Sequence, residues 1–205
     1  MARFFVEKIG IKLDPHKFKK FNDLGFIITE KILIKLQKLS HLYFHFYEEM
    51  TQNEISLANI SKDDVILHIG SGPIPTTSIL LAKKVGAQVT SIDNNLHSVK
   101  QAIYCVKEAG VADKVQIKYA DANSFPADKF DVIIISHGTR AYKELLQHIS
   151  QSMKDDARVI FRTSSSPTGE IAKEDLFIKD MFKMDKIVKQ KKNALLISIL
   201  LKKEK

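Results

Sequence analysis

One stretch constrains this chain more than any other. The apolar run Val65-Ile66-Leu67-His68-Ile69 passes without a spacer into Gly70-Ser71-Gly72-Pro73-Ile74-Pro75, and then into the helix start Thr76-Thr77-Ser78. A short aliphatic run bounded by glycine reads as a buried strand. Glycines let the backbone turn sharply and approach a ligand, and the free amides of a following helix start favour a carboxylate or another polar group. A plain strand-to-helix turn is the other use of a lone Gly-x-Gly. The two prolines remove backbone donors and stiffen the turn, departing from the Gly-x-Gly-x-x-Gly of a pyrophosphate-binding loop.

The surrounding pattern agrees with such a loop. From Asp64 onward, short apolar runs alternate with amphipathic segments, as in parallel strands joined by crossover helices. Strands are expected over about 65–69, 88–92, 115–119, 131–136 and 158–163, and helices over about 75–85, 96–109, 140–153 and 170–182. Two further strands, about 184–190 and 194–202, joined by a Lys-Lys-Asn turn, predict an antiparallel hairpin at the end of the sheet. Before the first strand, Phe18, Phe21, Leu24, Ile28, Ile32, Leu36, Leu39, Leu42, Phe46 and Met50 recur at helical spacing over 17–50. The chain therefore divides into an N-terminal helical extension, 1–62, and an α/β domain, 63–205. The fold expected is a Rossmann-like sheet of the class I methyltransferase type. Its closing hairpin distinguishes it from nicotinamide dehydrogenases, which continue with parallel units.

Acids at the carboxyl ends of the next strands complete a candidate site. Asp93, followed by Asn94, lies 21 residues beyond Gly72. A carboxylate there can accept from both ribose hydroxyls of an adenosine moiety; the bland alternative is an Asp-Asn turn cap. Asp121-Ala122 follows the third strand, where an acid can accept from an adenine amino group or simply serve its loop. With Gly70, Ser71, Gly72 and Pro73, these are the candidate cofactor-binding residues.

Composition excludes several classes. Hydrophobic residues at 44% and charged residues at 27% are those of a globular chain. The net charge of +8 comes from scattered lysines, with local groups at Lys17, Lys19 and Lys20 and at Lys186, Lys189, Lys191 and Lys192. This reads as solvated surface and argues against a nucleic-acid partner. No apolar run approaches a membrane span, and the N-terminus lacks a signal-peptide core, so the expected location is the cytoplasm. The single Cys105, between Ile103 and Val106, reads as a packed thiol. His41 and His45 share a helical spacing but lack a third ligand, so no metal is expected. His68 reads as a buried strand histidine with hydrogen-bond partners.

At this level of detail the sequence resembles a family. Gly70-Ser-Gly-Pro-Ile-Pro-Thr-Thr-Ser-Ile-Leu-Leu-Ala82 is similar to the cofactor loop and first helix of nicotianamine synthases and opine-metallophore synthases. Arg162-Thr163-Ser164 is similar to that family's Arg-Ser segment, and Tyr47 with Glu54 keeps its Tyr-to-Glu spacing; the likeness covers roughly 47–166. It implies S-adenosylmethionine as group donor, with transfer of its aminocarboxypropyl group to a small amine acceptor and release of methylthioadenosine. It also implies an acceptor-side role for Tyr47, as a phenol that orients or deprotonates an amine; packing is the alternative. About 63 residues precede the first strand, fewer than the helical N-terminal domain implied by the family.

After the fourth strand stands Ser136-His137-Gly138-Thr139, without the Asn/Asp-Pro-Pro-Tyr/Phe of many exocyclic-amino methyltransferases, which disfavours base methylation. His137 lies where acceptor contacts fall and can serve as a general base near neutral pH, or be a loop histidine. Tyr47 and His137 are thus the catalytic candidates. Methyl transfer to a small molecule, and a noncatalytic nucleic-acid or partner-binding subunit, remain alternatives. The N-terminal stripe suits either packing or a homodimer.

Overall fold

Unbroken runs of branched aliphatic residues cannot face water on either side, and here they form the centre of a seven-stranded sheet. The computed structural model describes residues 40–137, 139, 142–165, 171, 173–190 and 196–204. Its elements are α1 (Ser40–Ala58), β1 (Val65–Ile69), α2 (Thr76–Lys84), β2 (Gln88–Asp93), α3 (Leu96–Glu108), β3 (Val115–Tyr119), β4 (Val132–Ile135), α4 (Tyr142–Ser152) and β5 (Arg158–Ser164). A 3-10 helix (Lys173–Asp180) and the strands β6 (Phe182–Lys189) and β7 (Leu196–Lys203) follow. The strand order is β3-β2-β1-β4-β5-β7-β6. The first five strands pair in parallel; β7 is antiparallel to both β5 and β6.

Side chains alternate between two cores, as a pleated strand requires. Leu67, Ile69, Ile133, Ile135, Val159 and Phe161 pack with Leu145, Leu146 and Ile149 of α4 and Ile178 of the 3-10 helix. Ile66, Val132, Ile134 and Ile160 pack on the other face with Ile79 and Leu81 of α2, Val106 of α3 and Ala58 of α1. The front helix is therefore part of the domain's core. Below it, Arg158 pairs with Asp64 and donates to the carbonyls of Ala58 and Asn59 at 2.6 and 3.0 Å, closing the C-terminal end of α1.

Most element boundaries follow from the sequence, and the differences lie before the sixth strand and at the front helix. The helix expected over 170–182 is a 3-10 helix ending at Asp180, and the strand expected from 184 begins at Phe182. Long-range bonds hold this segment: the buried Asp175 carboxylate accepts from Thr163 Oγ1 at 2.6 Å and from Tyr142 Oη at 2.8 Å. Helix α1 also runs past the expected limit of 50, to Ala58. The front stripe from 17 to 39, the Lys-Lys-Asn turn and the side chain of His41 lie outside the described residues, as does most of the segment expected to support a homodimer.

Candidate functional site

Strand β1 has β2 on one side and β4 on the other, so the loop after it opens at the point where the strand order reverses, the usual place for a ligand in an open α/β sheet. Gly70 and Gly72 take φ of 74° and 64°, conformations that other residues adopt at a cost. A Cβ on Gly70 would also stand 3.1 Å from Thr139 Oγ1. The Gly70 and Ser71 amides donate to the Ile92 carbonyl at 2.9 and 3.3 Å, which pins the loop to the end of β2.

Asp93 braces the same loop. Its Oδ2 accepts from the Gly72 amide and its Oδ1 from the Asn95 amide, both at 2.9 Å. Asn95 in turn caps α3 by accepting from the amides of His97 and Ser98. A carboxylate has about four acceptor positions, so Asp93 keeps capacity for a ligand's hydroxyls. The Ser71 hydroxyl is buried and, among the described residues, has no hydrogen-bond partner. An orphaned hydroxyl beside a half-buried acid with spare acceptor positions fits a polar ligand such as the amino-acid end and ribose of S-adenosylmethionine. From α3, the Cys105 thiol lies 3.6 Å from the Pro73 carbonyl, and burial pushes its pKa up. It is a half-buried packing thiol, as expected.

Gly70, Ser71, Gly72, Pro73 and Asp93 are thus brought together. Asn94 is exposed beside them. Asp121 is exposed after β3 and accepts from the amide and side chain of Asn123, both at 3.0 Å, while Ala122 is half-buried against the core on the α4 side. His137 lies after β4, with Nε2 3.0 Å from Ser164 Oγ at the end of β5. Tyr47 is half-buried on α1, edge-to-face with Phe46 at 5.5 Å between centroids. Its neighbour Glu48 pairs with Lys84 in the last turn of α2, and that ammonium holds the Glu48 carboxyl below its ordinary pKa.

Beneath the loop lies a buried polar layer that holds His68, hydrogen-bonded as expected, together with Glu54 and Arg162, which the resemblance singled out without joining them. Glu54 of α1 accepts from Arg162 Nε at 2.8 Å and Nη2 at 2.6 Å, and from Ser198 Oγ at 2.7 Å. Gln190 donates to Ser198 at 3.1 Å and accepts from Asn53 at 2.8 Å. His68 stands between Ser78 Oγ, 2.7 Å from Nδ1, and Ser136 Oγ, 2.9 Å from Nε2. Burial, with the nearby Arg162 charge, pulls its pKa down to about 3, so the imidazole is neutral. The available signal was the presence of Arg162, Ser198 and His68 inside otherwise apolar strands.

The sheet, its closing hairpin, the loop after β1 and the acid ending β2 define a class I methyltransferase-type domain. A solved structure of a mutant MtNAS in complex with S-adenosylmethionine shares this fold at a TM-score of 0.72 and 20% identity, covering 98% of this chain and 76% of that one. An RNA methyltransferase from Salinibacter ruber matches at 0.60 and 20%, over 76% of this chain and 92% of that one. Within the class, the model of the nicotianamine synthase protein family matches residues 30–190, and the chain belongs to that family. An L-histidine 2-aminobutanoyltransferase from Pseudomonas aeruginosa is 26% identical over 126 residues, 59% of this chain and 46% of the relative. One from Yersinia pestis is 26% identical over 115 residues, 55% and 43% of the two chains. The matches thus span about half the length of these relatives.

Proposed function

We propose that the chain is an S-adenosylmethionine-dependent transferase that moves the aminocarboxypropyl group to a small amine-bearing acceptor. The observation that carries this is the loop at the switch point, with the buried Ser71 hydroxyl, unpartnered among the described residues, and Asp93 facing it, in a chain of the nicotianamine synthase family. The aminobutanoyltransferase relatives support the choice of group.

The donor supplies a sulfonium that activates its neighbouring carbons, so the protein's task is to position, to exclude water and to take a proton. Gly70, Ser71, Gly72 and Pro73 hold the amino-acid end, Asp93 with Asn94 holds the ribose, and Asp121 with Ala122 flanks the adenine. His137 is the candidate base at the ends of β4 and β5; its contact with Ser164 orients the ring, since the bond made at one nitrogen fixes what the other can do. Tyr47 is assigned to the acceptor side, on the extension 1–62. We place the reaction in the cytoplasm; no described helix is long and apolar enough to cross a membrane.

Mass spectrometry of the purified chain with S-adenosylmethionine and a panel of amines and amino acids tests the reading. Methylthioadenosine together with an acceptor heavier by an aminocarboxypropyl group is the expected result. Adenosylhomocysteine with a methylated acceptor refutes it and makes the chain a methyltransferase.

A further inference from the structure

The first turn of α2 is where the loop meets the sheet, and it has no ordinary cap. Pro75 occupies the cap position and offers no side-chain acceptor. Thr76, Thr77 and Ser78 are all buried, and the hydroxyls of the latter two point into the protein. Thr77 Oγ1 accepts from Arg162 Nη2 at 3.0 Å, and Ser78 Oγ contacts both His68 Nδ1 and Ser91 Oγ at 2.7 Å.

A guanidinium at this place is unfavourable on two counts. It has left water, being 4% exposed, and it adjoins the positive end of a helix, which favours anions. Glu54 compensates its charge through two hydrogen bonds, and Ser198, which faces Arg162 in the β5–β7 register, donates a further bond to the same carboxylate. Apolar residues of similar volume commonly serve stability as well as a buried ion pair. What the pair adds is direction: the fork of two parallel bonds fixes the guanidinium plane, so that Nη2 also meets Thr77.

We infer that Arg162, oriented by Glu54 and Ser198, is a positioning residue for the loop 70–75, setting the first turn of α2 and through it the loop's amides and the Ser71 hydroxyl. Helix α1 and the closing hairpin thereby become part of the loop's support, although neither forms the rim. Only the step from an ordered loop to ligand affinity rests on the proposed function; the ordering itself belongs to the chain without ligand.

The test is hydrogen exchange, read by mass spectrometry without ligand, on the wild type, Arg162→Lys and Thr77→Val, followed by calorimetric titration with S-adenosylmethionine. Lysine keeps the charge but cannot form the fork; valine keeps the shape of Thr77 and removes its hydroxyl, and with it the acceptor for Arg162. In both variants the amides of 70–79 should exchange about tenfold faster, with those of β2 and β4 unchanged, and affinity should fall by about the same factor. Unchanged loop exchange in Thr77→Val, or equal acceleration of every segment, overturns the inference. Faster loop exchange in a chain whose wild type binds no S-adenosylmethionine sustains the positioning role and removes the cofactor reading instead.

Discussion

The polar groups at the carboxyl end of this sheet form a rim and a layer beneath it, and the two are bonded differently. At the rim the bonds are mostly local: Asp93 to Asn95, Asn95 to the amides of His97 and Ser98, Asp121 to Asn123. In the layer they cross the chain, with Arg162 and Glu54 separated by 108 positions, Ser198 and Glu54 by 144, and Asn53 and Gln190 by 137. The rim is partly exposed, and Asp93 and Ser71 retain capacity to bond a ligand. Within the layer, Glu54, Arg162, Ser198 and His68 are all buried and bonded to one another or to Thr77, Ser78 and Ser136. Groups that exchange partners can do chemistry; groups that cannot hold the geometry in which it is done.

The largest expected effect falls on the layer. Glu54→Leu removes the carboxylate that compensates the buried Arg162 guanidinium through two hydrogen bonds and should cost about 3–5 kcal/mol in urea unfolding. The double variant Glu54→Leu, Arg162→Leu should recover most of that loss. A single variant as stable as wild type would place the pair among the rim-like, replaceable contacts.

Acid should reach the layer through His68. In the unfolded chain this imidazole takes its proton near 6.5, whereas in the fold it does so at about 3. Between those values the unfolded state binds more protons, so the stability present above pH 6.5 is lost as pH falls toward 3. From pH 6.5 to 4.5 the wild type should lose about 2 kcal/mol more than His68→Gln, at about 1.4 kcal/mol per unit. Parallel pH profiles for the two proteins would contradict the assignment. The smallest effect belongs to the rim: Asp121→Ala removes an exposed turn contact and should change stability by about 0.5 kcal/mol or less. A loss as large as that from Glu54→Leu would erase the distinction between the two regions.

The same distinction explains what could be read from the sequence. Gly70, Gly72 and Asp93 act within a few residues or across one βαβ unit, so spacing alone set the loop and the acid at neighbouring strand ends. The Thr77–Arg162–Glu54–Ser198 layer brings together α2, β5, α1 and β7, and nothing in local spacing announces such a meeting. Nor does periodicity distinguish an α-helix from the 3-10 helix at Lys173–Asp180, because Asp175 is held by Thr163 and Tyr142 from elsewhere in the fold. Propensity yields where a tertiary bond dictates the turn.

We propose the rim braced by Asp93 as the place where S-adenosylmethionine binds. Calorimetric titration of wild type and Asp93→Asn tests it most directly, because the substitution removes the carboxylate's charge and one of its two acceptor oxygens, and with them a bond of the loop's brace and the capacity to hold a ligand's hydroxyls. Saturable binding by the wild type, weakened about 10- to 100-fold in the variant, is the predicted result; no binding by the folded wild type, or equal affinity in the two proteins, would contradict it.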